Sequence, residues 1–155
     1  MWEIVDGKPF HCGMMARSLR DEHRHAIMAD TASIHRELRA AFDGSHYKKS
    51  LIVDGELLAV GGVMGSVLGF SGVVWLAMTN RAKQYKLLTV RLARQTLEEL
   101  LAVHPTLNAG ILFGDETSRK FAEFLGFERV ESDVQGAGGG YALRYALTRT
   151  KNGDD

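Results

Sequence analysis

Apolar residues recur along the N-terminal third of the chain in spacings that predict one strand and two helices. The run Trp2–Val5 predicts a first strand. Over about residues 12–28, apolar side chains recur every four positions, which places them along one face of a helix. The charged residues expected on the opposite, solvated side of this helix are Arg17, Arg20, Asp21 and Arg24. A second helix is predicted over about residues 31–42, with Asp30 as its N-terminal cap.

Three buried strands are predicted next, two of them as a hairpin. Leu51–Val53 and Leu57–Val60 are apolar runs on either side of Asp54-Gly55, a dipeptide that suits a tight hairpin turn. Val73–Met78 predicts the third strand, with Trp75 in its middle. We expect these three strands to be antiparallel.

Helices and strands alternate in the C-terminal half of the chain. A stripe of apolar residues predicts a long helix that ends at His104-Pro105. Ile111–Phe113 predicts a buried strand and Gly114 a turn. Asp115 is the predicted cap of a further helix, which Gly126 ends. The order strand, helix, strand, helix predicts a locally parallel pair of strands.

The length of 155 residues fits one domain, which we expect to span residues 1–150. Its last strand is predicted at Tyr141–Thr148, after a glycine-rich connection at residues 136–140 that lacks the Lys-Ser/Thr of a nucleotide-binding loop. Residues 151–155 are polar and predict a disordered tail.

Composition and charge narrow the class of protein. The chain is 45% hydrophobic and 25% charged, as is typical of a globular domain. Nineteen basic and nineteen acidic residues cancel, which argues against a nucleic-acid or membrane-surface binder because such partners require a basic field. No run approaches about 18 apolar residues, and no N-terminal signal segment is present. We therefore expect a soluble, cytoplasmic protein.

Metal and thiol chemistry are not indicated. His23, His25 and His35 stand near one another in sequence, but His23 and His25 point in different directions on a helix, and no motif completes a metal site. A single Cys12 excludes an internal disulfide and suits a reducing compartment. No motif around Cys12 indicates a nucleophile.

The stretch from Asp115 to Phe127, D-E-T-S-R-K-F-A-E-F-L-G-F, resembles the last conserved motif of the GNAT superfamily of N-acetyltransferases. The resemblance covers about residues 51–127. It implies an α/β (α+β) fold with a mixed, mostly antiparallel sheet, a parallel strand pair that splays apart, and about four flanking helices. It also implies transfer of an acetyl group from acetyl-CoA to the amine of a small molecule or protein.

The same resemblance implies where acetyl-CoA would bind. In this superfamily a central strand ends in a splayed edge that bonds the pantetheine arm, and a glycine-containing loop before the next helix holds the pyrophosphate. Arg81 stands at the first position of that loop, whereas Gln84 and Lys86 occupy its glycine positions. The implied cofactor contacts are Leu76, Ala77, Met78, Arg81, Ala82, Lys83, Gln84, Lys86 and Asp115.

The resemblance leaves the catalytic residues partly open. Members of the superfamily often have a tyrosine in the last helix that protonates the coenzyme A thiolate, and the matching position here is Ala122. Ser118 or Tyr85 would then have to serve as the acid. Glu22, Glu56 or a histidine would serve as the base, and Glu22 is our first candidate.

A second resemblance concerns the stretch around A-R-S-L-R at residues 16–20. It is similar to the opening helix of a phage family of GNAT-like proteins, some of them internal virion or head-associated proteins. This implies a phage origin, in a virion or the host cytoplasm. Two further functions stay open: a non-catalytic, virion-associated binding module, and a small regulatory or inhibitory protein that binds a host partner, with or without acetylation.

Overall fold

The computed structural model describes residues 1–30, 33–65, 68–112, 115–130, 134–135 and 141–149. The helices are α1 (Pro9–Ser18), α2 (Asp21–Asp30), α3 (Ile34–Asp43), α4 (Lys86–Val103) and α5 (Glu116–Phe124), with a 3-10 helix at Asn80–Tyr85 before α4. The strands are β1 (Trp2–Asp6), β2 (Ser45–Val53), β3 (Glu56–Met64), β4 (Ser71–Met78), β5 (Thr106–Leu112), β6 (Glu128–Arg129), β7 (Val134–Gln135) and β8 (Tyr141–Thr148).

The strands form one mixed sheet in the order β1-β2-β3-β4-β5-β8-β6, with β7 paired to β8. Strands β4 and β5 are parallel, and the other neighbours are antiparallel. The fold class predicted from the sequence is therefore confirmed.

The helix predicted over residues 12–28 is in fact two helices, so this prediction is wrong. Leu19 and Arg20 leave the helical path, Leu19 bridges Thr79, and the Arg20 N–H donates to the carbonyl oxygen of Met78 at 2.8 Å. Pairing with the end of β4 interrupts the helix. The expectation that Arg20 faces solvent is also wrong, because Arg20 is only 2% exposed.

The start of α3 differs from its prediction as well. The helix begins at Ile34, and the Oγ of Ser33 accepts a hydrogen bond from the Arg36 N–H at 3.2 Å, so Ser33 is the cap. Asp30, the predicted cap, belongs to the end of α2. Ser33, the residue immediately before the helix, serves the capping role that we had assigned to Asp30.

The β2–β3 hairpin is confirmed and is longer than the apolar runs suggested. Asp54 and Gly55 have φ angles of 49° and 81°, which is the pair of positive values that a type I′ turn requires. This turn matches the twist of the flanking strands, so the two strands remain paired from Val53↔Glu56 to Ser45↔Met64.

The helices cover both faces of the sheet. Adjacent strand residues point to opposite faces, and Ala77 packs with α1, α2 and α3 whereas Met78 packs with Leu92 of α4. Helix α5 lies on the same side as α4, because Ala122 shares a buried cluster with Leu100. In the part of the chain that the structure describes, no helix is long and apolar enough to cross a membrane.

Several sequence predictions fall on residues outside the described ranges. They are Phe113 at the end of the predicted strand, the turn at Gly114, the glycine-rich connection at residues 136–140, and the tail at residues 151–155. The prediction of one domain over residues 1–150 stays a prediction.

A substitution at Gly62 of β3 tests how tightly β2, β3 and β4 pack around this residue. A Cβ at this position would collide with the Tyr47 carbonyl oxygen and lie 3.1 Å from Nε1 of Trp75, which donates to Ser45 Oγ at 2.7 Å. We expect Gly62→Ala to lower the free energy of unfolding by about 1–3 kcal/mol, measured by urea denaturation.

Gly13 provides the matched control for this substitution. It lies inside α1, where an added Cβ meets nothing closer than 3.9 Å, so Gly13→Ala should raise the free energy of unfolding by about 0.5–1 kcal/mol. Equal effects of the two substitutions would contradict the close packing at Gly62.

Candidate functional site

Strands β4 and β5 part soon after they begin, and this opening is the centre of the candidate site. They pair at three positions, Ser71↔Thr106, Gly72↔Leu107 and Val73↔Asn108. Beyond these pairs β4 stays bonded to β3 as far as Met78, while β5 stays bonded to β8 as far as Leu112. Beyond these pairs, β4 therefore stays paired with β3 and β5 with β8, but β4 and β5 no longer pair with each other, as the resemblance implied.

A cavity of about 520 Å³ occupies this opening and reaches both faces of the sheet. On one face it is lined by His23, Ile27 and Leu38 of α2 and α3. On the other face it is lined by Leu92 and Leu97 of α4 and by Phe121 of α5. Because one cavity connects the two faces, two molecules that enter from opposite sides can meet inside it.

The backbone of β4 presents polar groups to this cavity. The Thr79 N–H donates to the Leu58 carbonyl at 2.9 Å, which fixes the phase of the β3–β4 ladder. Bonded and non-bonded pairs alternate in an antiparallel ladder, so the backbone groups of Leu76 and Met78 point away from β3 and toward the opening. Arg20 uses the Met78 carbonyl, whereas the Ala77 N–H belongs to the ladder.

A buried ion pair between Arg20 and Asp115 lies at the Met78 end of the opening. The Arg20 and Asp115 side chains are each 3% exposed, and Nη2 of Arg20 donates to both Asp115 carboxylate oxygens at 3.2 Å. Ser118 completes the group, since its Oγ accepts from Arg20 at 2.8 Å and donates to Asp115 at 2.7 Å. Asp115 and Ser118 line the cavity.

The first turn of α5 explains why Asp115 lies there. The Asp115 carboxylate accepts a hydrogen bond from the Ser118 N–H at 3.2 Å, so it caps the helix as predicted. This cap orients the carboxylate, and the helix N-terminus favours its negative charge. Arg20 then neutralises the carboxylate from the α1–α2 joint.

Glu22 lies at the outer edge of this cluster. Its carboxylate accepts hydrogen bonds from the Thr117 hydroxyl and from the Thr117 N–H at 3.2 Å, and it lies 3.9 Å from Nη1 of Arg20. The hydrogen bond from the Thr117 side chain lowers the pKa of the Glu22 carboxyl below its usual value. The structure thus places two of the predicted catalytic residues, Glu22 and Ser118, on either side of Arg20.

His23 contributes a neutral imidazole to the cavity wall. The pKa of His23 is lowered to about 4, mainly by burial; the charge of Asp115 opposes this shift and that of Arg20 adds to it. Its Nδ1 is buried and has no hydrogen-bond partner. His25 and His35 are exposed, and the described residues contain no group of three or more possible metal ligands.

Tyr85, the third predicted catalytic residue, lies in a different environment. It packs against the cluster that contains Leu92 and accepts a hydrogen bond from Arg81 at 3.4 Å. Arg81 also forms an ion pair with Glu56, another candidate base, at the start of β3. The structure does not place Tyr85 among the residues that line the cavity.

The segment predicted to hold a pyrophosphate is helical. Asn80–Tyr85 forms a 3-10 helix that leads directly into α4, and Ala82 on its inner side is buried. The side chains of Lys83, Gln84 and Lys86 are exposed on its outer side. Of the residues predicted to contact acetyl-CoA, Leu76, Ala77, Met78 and Asp115 line the cavity.

Sequence patterns did not predict that the side chains of Arg20 and His23 both lie near the candidate site. Helical spacing assigned Arg20 to solvent, and His23 was only one of several candidate histidines. The missing signal was the break between α1 and α2, because that break turns both side chains toward α5.

The buried His23 makes stability depend on pH. Because the pKa of His23 is about 4 in the folded protein and about 6.5 in the unfolded chain, the unfolded chain binds more protons between these values. The stabilisation of the folded protein by neutral His23 is fully present above pH 6.5 and decreases by up to about 3 kcal/mol as the pH falls toward 4.

We expect His23→Gln to flatten this pH dependence of the free energy of unfolding in urea titrations, while His25→Gln, at an exposed position, leaves it unchanged. A pH dependence unaltered in His23→Gln would contradict the burial.

Comparisons with known proteins agree with this geometry at the level of the fold. No family model matches the chain, and no curated protein sequence is significantly similar to it. Among solved structures, the ribosomal-protein-S18-alanine N-acetyltransferase from Escherichia coli is 14% identical, with 100% of this chain and 98% of that chain covered and a TM-score of 0.68.

Two further structures show the same similarity. The aminoglycoside acetyltransferase AAC(6')-Ib in complex with coenzyme A is 14% identical, with 96% and 95% of the chains covered and a TM-score of 0.65. An N-acetyltransferase from Staphylococcus aureus Mu50 is 16% identical, with 96% and 98% covered and a TM-score of 0.64. At these identities the similarity concerns the fold, and the chain therefore has the fold of the GNAT acetyltransferases.

Proposed function

We propose that the protein is an N-acetyltransferase that transfers an acetyl group from acetyl-CoA to the amine of a small molecule or protein. The observation that carries this proposal is the parting of β4 from β5, which leaves unpaired backbone groups beside a cavity open to both faces of the sheet. Proteins with the same fold bind coenzyme A and act on amines, according to the names of the aminoglycoside and ribosomal-protein acetyltransferases.

The residues around the opening fit the pantetheine arm better than they fit the phosphates. The free backbone groups of Leu76 form the polar edge that an extended amide-containing arm can bond, and apolar side chains line the rest of the cavity. Lys83 of the 3-10 helix and Lys86 at the start of α4 are exposed and can contact phosphates, but Arg81 is already paired with Glu56. We therefore expect most of the affinity to come from the pantetheine arm.

When bound, acetyl-CoA supplies an activated acyl group that a neutral amine can attack. The chain's own contribution is to orient the two molecules and to exclude water from the cavity. We propose Glu22 as the group that takes up the amine proton, because its carboxylate is ionised and partly exposed at the edge of the cluster; the lowered pKa keeps it ionised but makes it a weaker base. Neutral His23 is the alternative, since its free Nδ1 lies inside the cavity wall.

A non-catalytic binding protein is the second candidate. The specific observation in its favour is the glycine-free segment made of the 3-10 helix and the first residue of α4, in which Gln84 and Lys86 carry side chains where the superfamily has glycines. Such a protein would use the GNAT fold to bind a partner, and the phage virion and host-interaction roles stay predictions of this kind.

Binding of acetyl-CoA is the first test of these alternatives. The protein should bind acetyl-CoA and coenzyme A in calorimetry, and a ligand concentration of 100 times Kd should stabilise it by about 2.7 kcal/mol in thermal unfolding. Release of the free thiol in the presence of an aminoglycoside, a polyamine or a peptide with a free N-terminus would identify the acceptor class. Binding without thiol release for any amine would favour the non-catalytic candidate, and absence of binding would contradict the acetyltransferase.

Leu76 provides a test of the pantetheine edge. Leu76→Pro removes the backbone N–H that faces the opening and leaves the bonds between β3 and β4 intact, so affinity for coenzyme A should fall about 3-fold to 10-fold. Leu76→Ala is the matched control, because it shortens the same side chain and keeps the N–H. An equal loss of affinity in both variants, measured by calorimetry, would show that the side chain rather than the backbone makes the contact.

A further inference from the structure

The half of the cavity that faces α2 and α3 is mainly apolar. Ile27 of α2 and Leu38 of α3 are each 5% exposed, and both line it. Ala41, almost one turn after Leu38 on the same face of α3, lines it as well. Trp75 of β4 forms the wall on the side of the sheet and packs against the buried cluster that contains Ile27 and Leu38. A group that enters from this side therefore meets hydrocarbon and an indole ring.

Trp75 is held in a fixed position within this wall. Its indole Nε1 donates a hydrogen bond to Ser45 Oγ at 2.7 Å, and the Ser45 hydroxyl donates to the Ala41 carbonyl at 2.7 Å. Nε1 also lies only 3.1 Å from the place that a Cβ would take at Gly62, so the indole packs closely on β3. Because the polar atom of the indole is already bonded, the ring presents an apolar aromatic surface that is in place before a ligand binds.

Few charges face this half of the cavity. Among the described residues of α2 and α3 that line it, Glu37 carries the ionised side chain, whereas His23 is neutral at pH 7 because its pKa is about 4. Asp115, on the far side of the opening, is paired with Arg20 at 3.2 Å. Each ammonium group that leaves water needs a compensating acceptor. One carboxylate on this side suits an acceptor with a single ammonium group better than a polyamine or an aminoglycoside.

The opposite half of the cavity is the side from which acetyl-CoA would enter. Lys83 and Lys86, the exposed cations that can contact its phosphates, lie just before and at the start of α4. An arm that follows the free edge of β4 from there leaves the α2–α3 half to the amine. The cavity of about 520 Å³ has the size that holds one drug-sized ligand, so the two reacting groups share a small space. This placement rests on the proposed function.

We propose that the acceptor is a monoamine whose nitrogen is carried by an apolar group, with an aromatic ring as the best fit beside Trp75. The apolar group leaves water for the wall formed by Ile27, Leu38 and Trp75. In the transfer, the amine nitrogen forms a bond to the acetyl carbon, and the carbon–sulfur bond breaks with its electron pair left on sulfur. The amine proton passes to Glu22 or to water.

The acceptor preference of the unmodified protein is the first test. With acetyl-CoA as donor, thiol release should give a kcat/KM for 2-phenylethylamine at least about 10-fold above the values for spermidine and kanamycin. A peptide that begins with phenylalanine carries the same apolar group beside its amine. The ratio of its kcat/KM to that of 2-phenylethylamine distinguishes a protein N-terminus from a free amine as the source of this group.

The same measurements separate failure of this inference from failure of the proposed function. A kcat/KM for spermidine or kanamycin equal to or above that for 2-phenylethylamine would overturn the inference and support the acetyltransferase. Absence of thiol release with every amine would instead count against the acetyltransferase itself.

A substitution at Ala41 tests the location of the acceptor. Ala41→Asp places a second carboxylate in the apolar wall, so the ratio of kcat/KM for 2-phenylethylamine to that for spermidine should fall at least about 10-fold. Ala40→Asp is the matched control, because Ala40 is the preceding residue of α3, is exposed and does not line the cavity. An equal ratio in the two variants would overturn the assignment of the acceptor to the α2–α3 half.

Binding of coenzyme A shows whether these two variants are folded. Both should keep the wild-type Kd in calorimetry, because neither position lies on the free edge of β4. If Ala41→Asp loses this binding through misfolding, the comparison of amines with the unmodified protein decides the inference.

Discussion

The hydrogen bond from the Arg20 N–H to the Met78 carbonyl is the contact on which the candidate site depends. It anchors the joint between α1 and α2 to the edge of β4 from which β5 has parted. A strand edge within a protein must satisfy its backbone groups, and here a short piece of another segment serves that role. The opening can therefore exist without leaving the end of β4 unpaired.

The Arg20 side chain extends the same anchor to α5. A buried ion pair is stable when additional hydrogen bonds satisfy its remaining groups, and Asp115 receives these from the Ser118 N–H and hydroxyl. One residue thus links three elements, namely the α1–α2 joint, the end of β4 and the start of α5. Because the Asp115 carboxylate also caps α5, the ion pair and the helix position support each other.

The two ends of the proposed acetyl-CoA site differ in character. At the inner end, the free backbone groups of β4 face a cavity lined mainly by apolar side chains, which suits a thioester arm. At the outer end, a 3-10 helix with a buried Ala82 leads into α4, and its basic side chains are either exposed or paired with Glu56. The residues predicted to act in catalysis, Glu22, His23 and Ser118, also lie near the inner end.

Local sequence alone determined most of the secondary structure and the fold class. The Asp54-Gly55 turn, the apolar strands and the cap at Asp115 follow from the conformations and hydrogen bonds of a few neighbouring residues. The periodic pattern failed at Leu19 and Arg20, because an apolar stripe continues across a break that is caused by pairing with a distant strand. Only the tertiary structure decided that Arg20 is buried beside Asp115, 95 residues away in sequence, since the desolvation and pairing of two charges depend on contacts that no local spacing encodes.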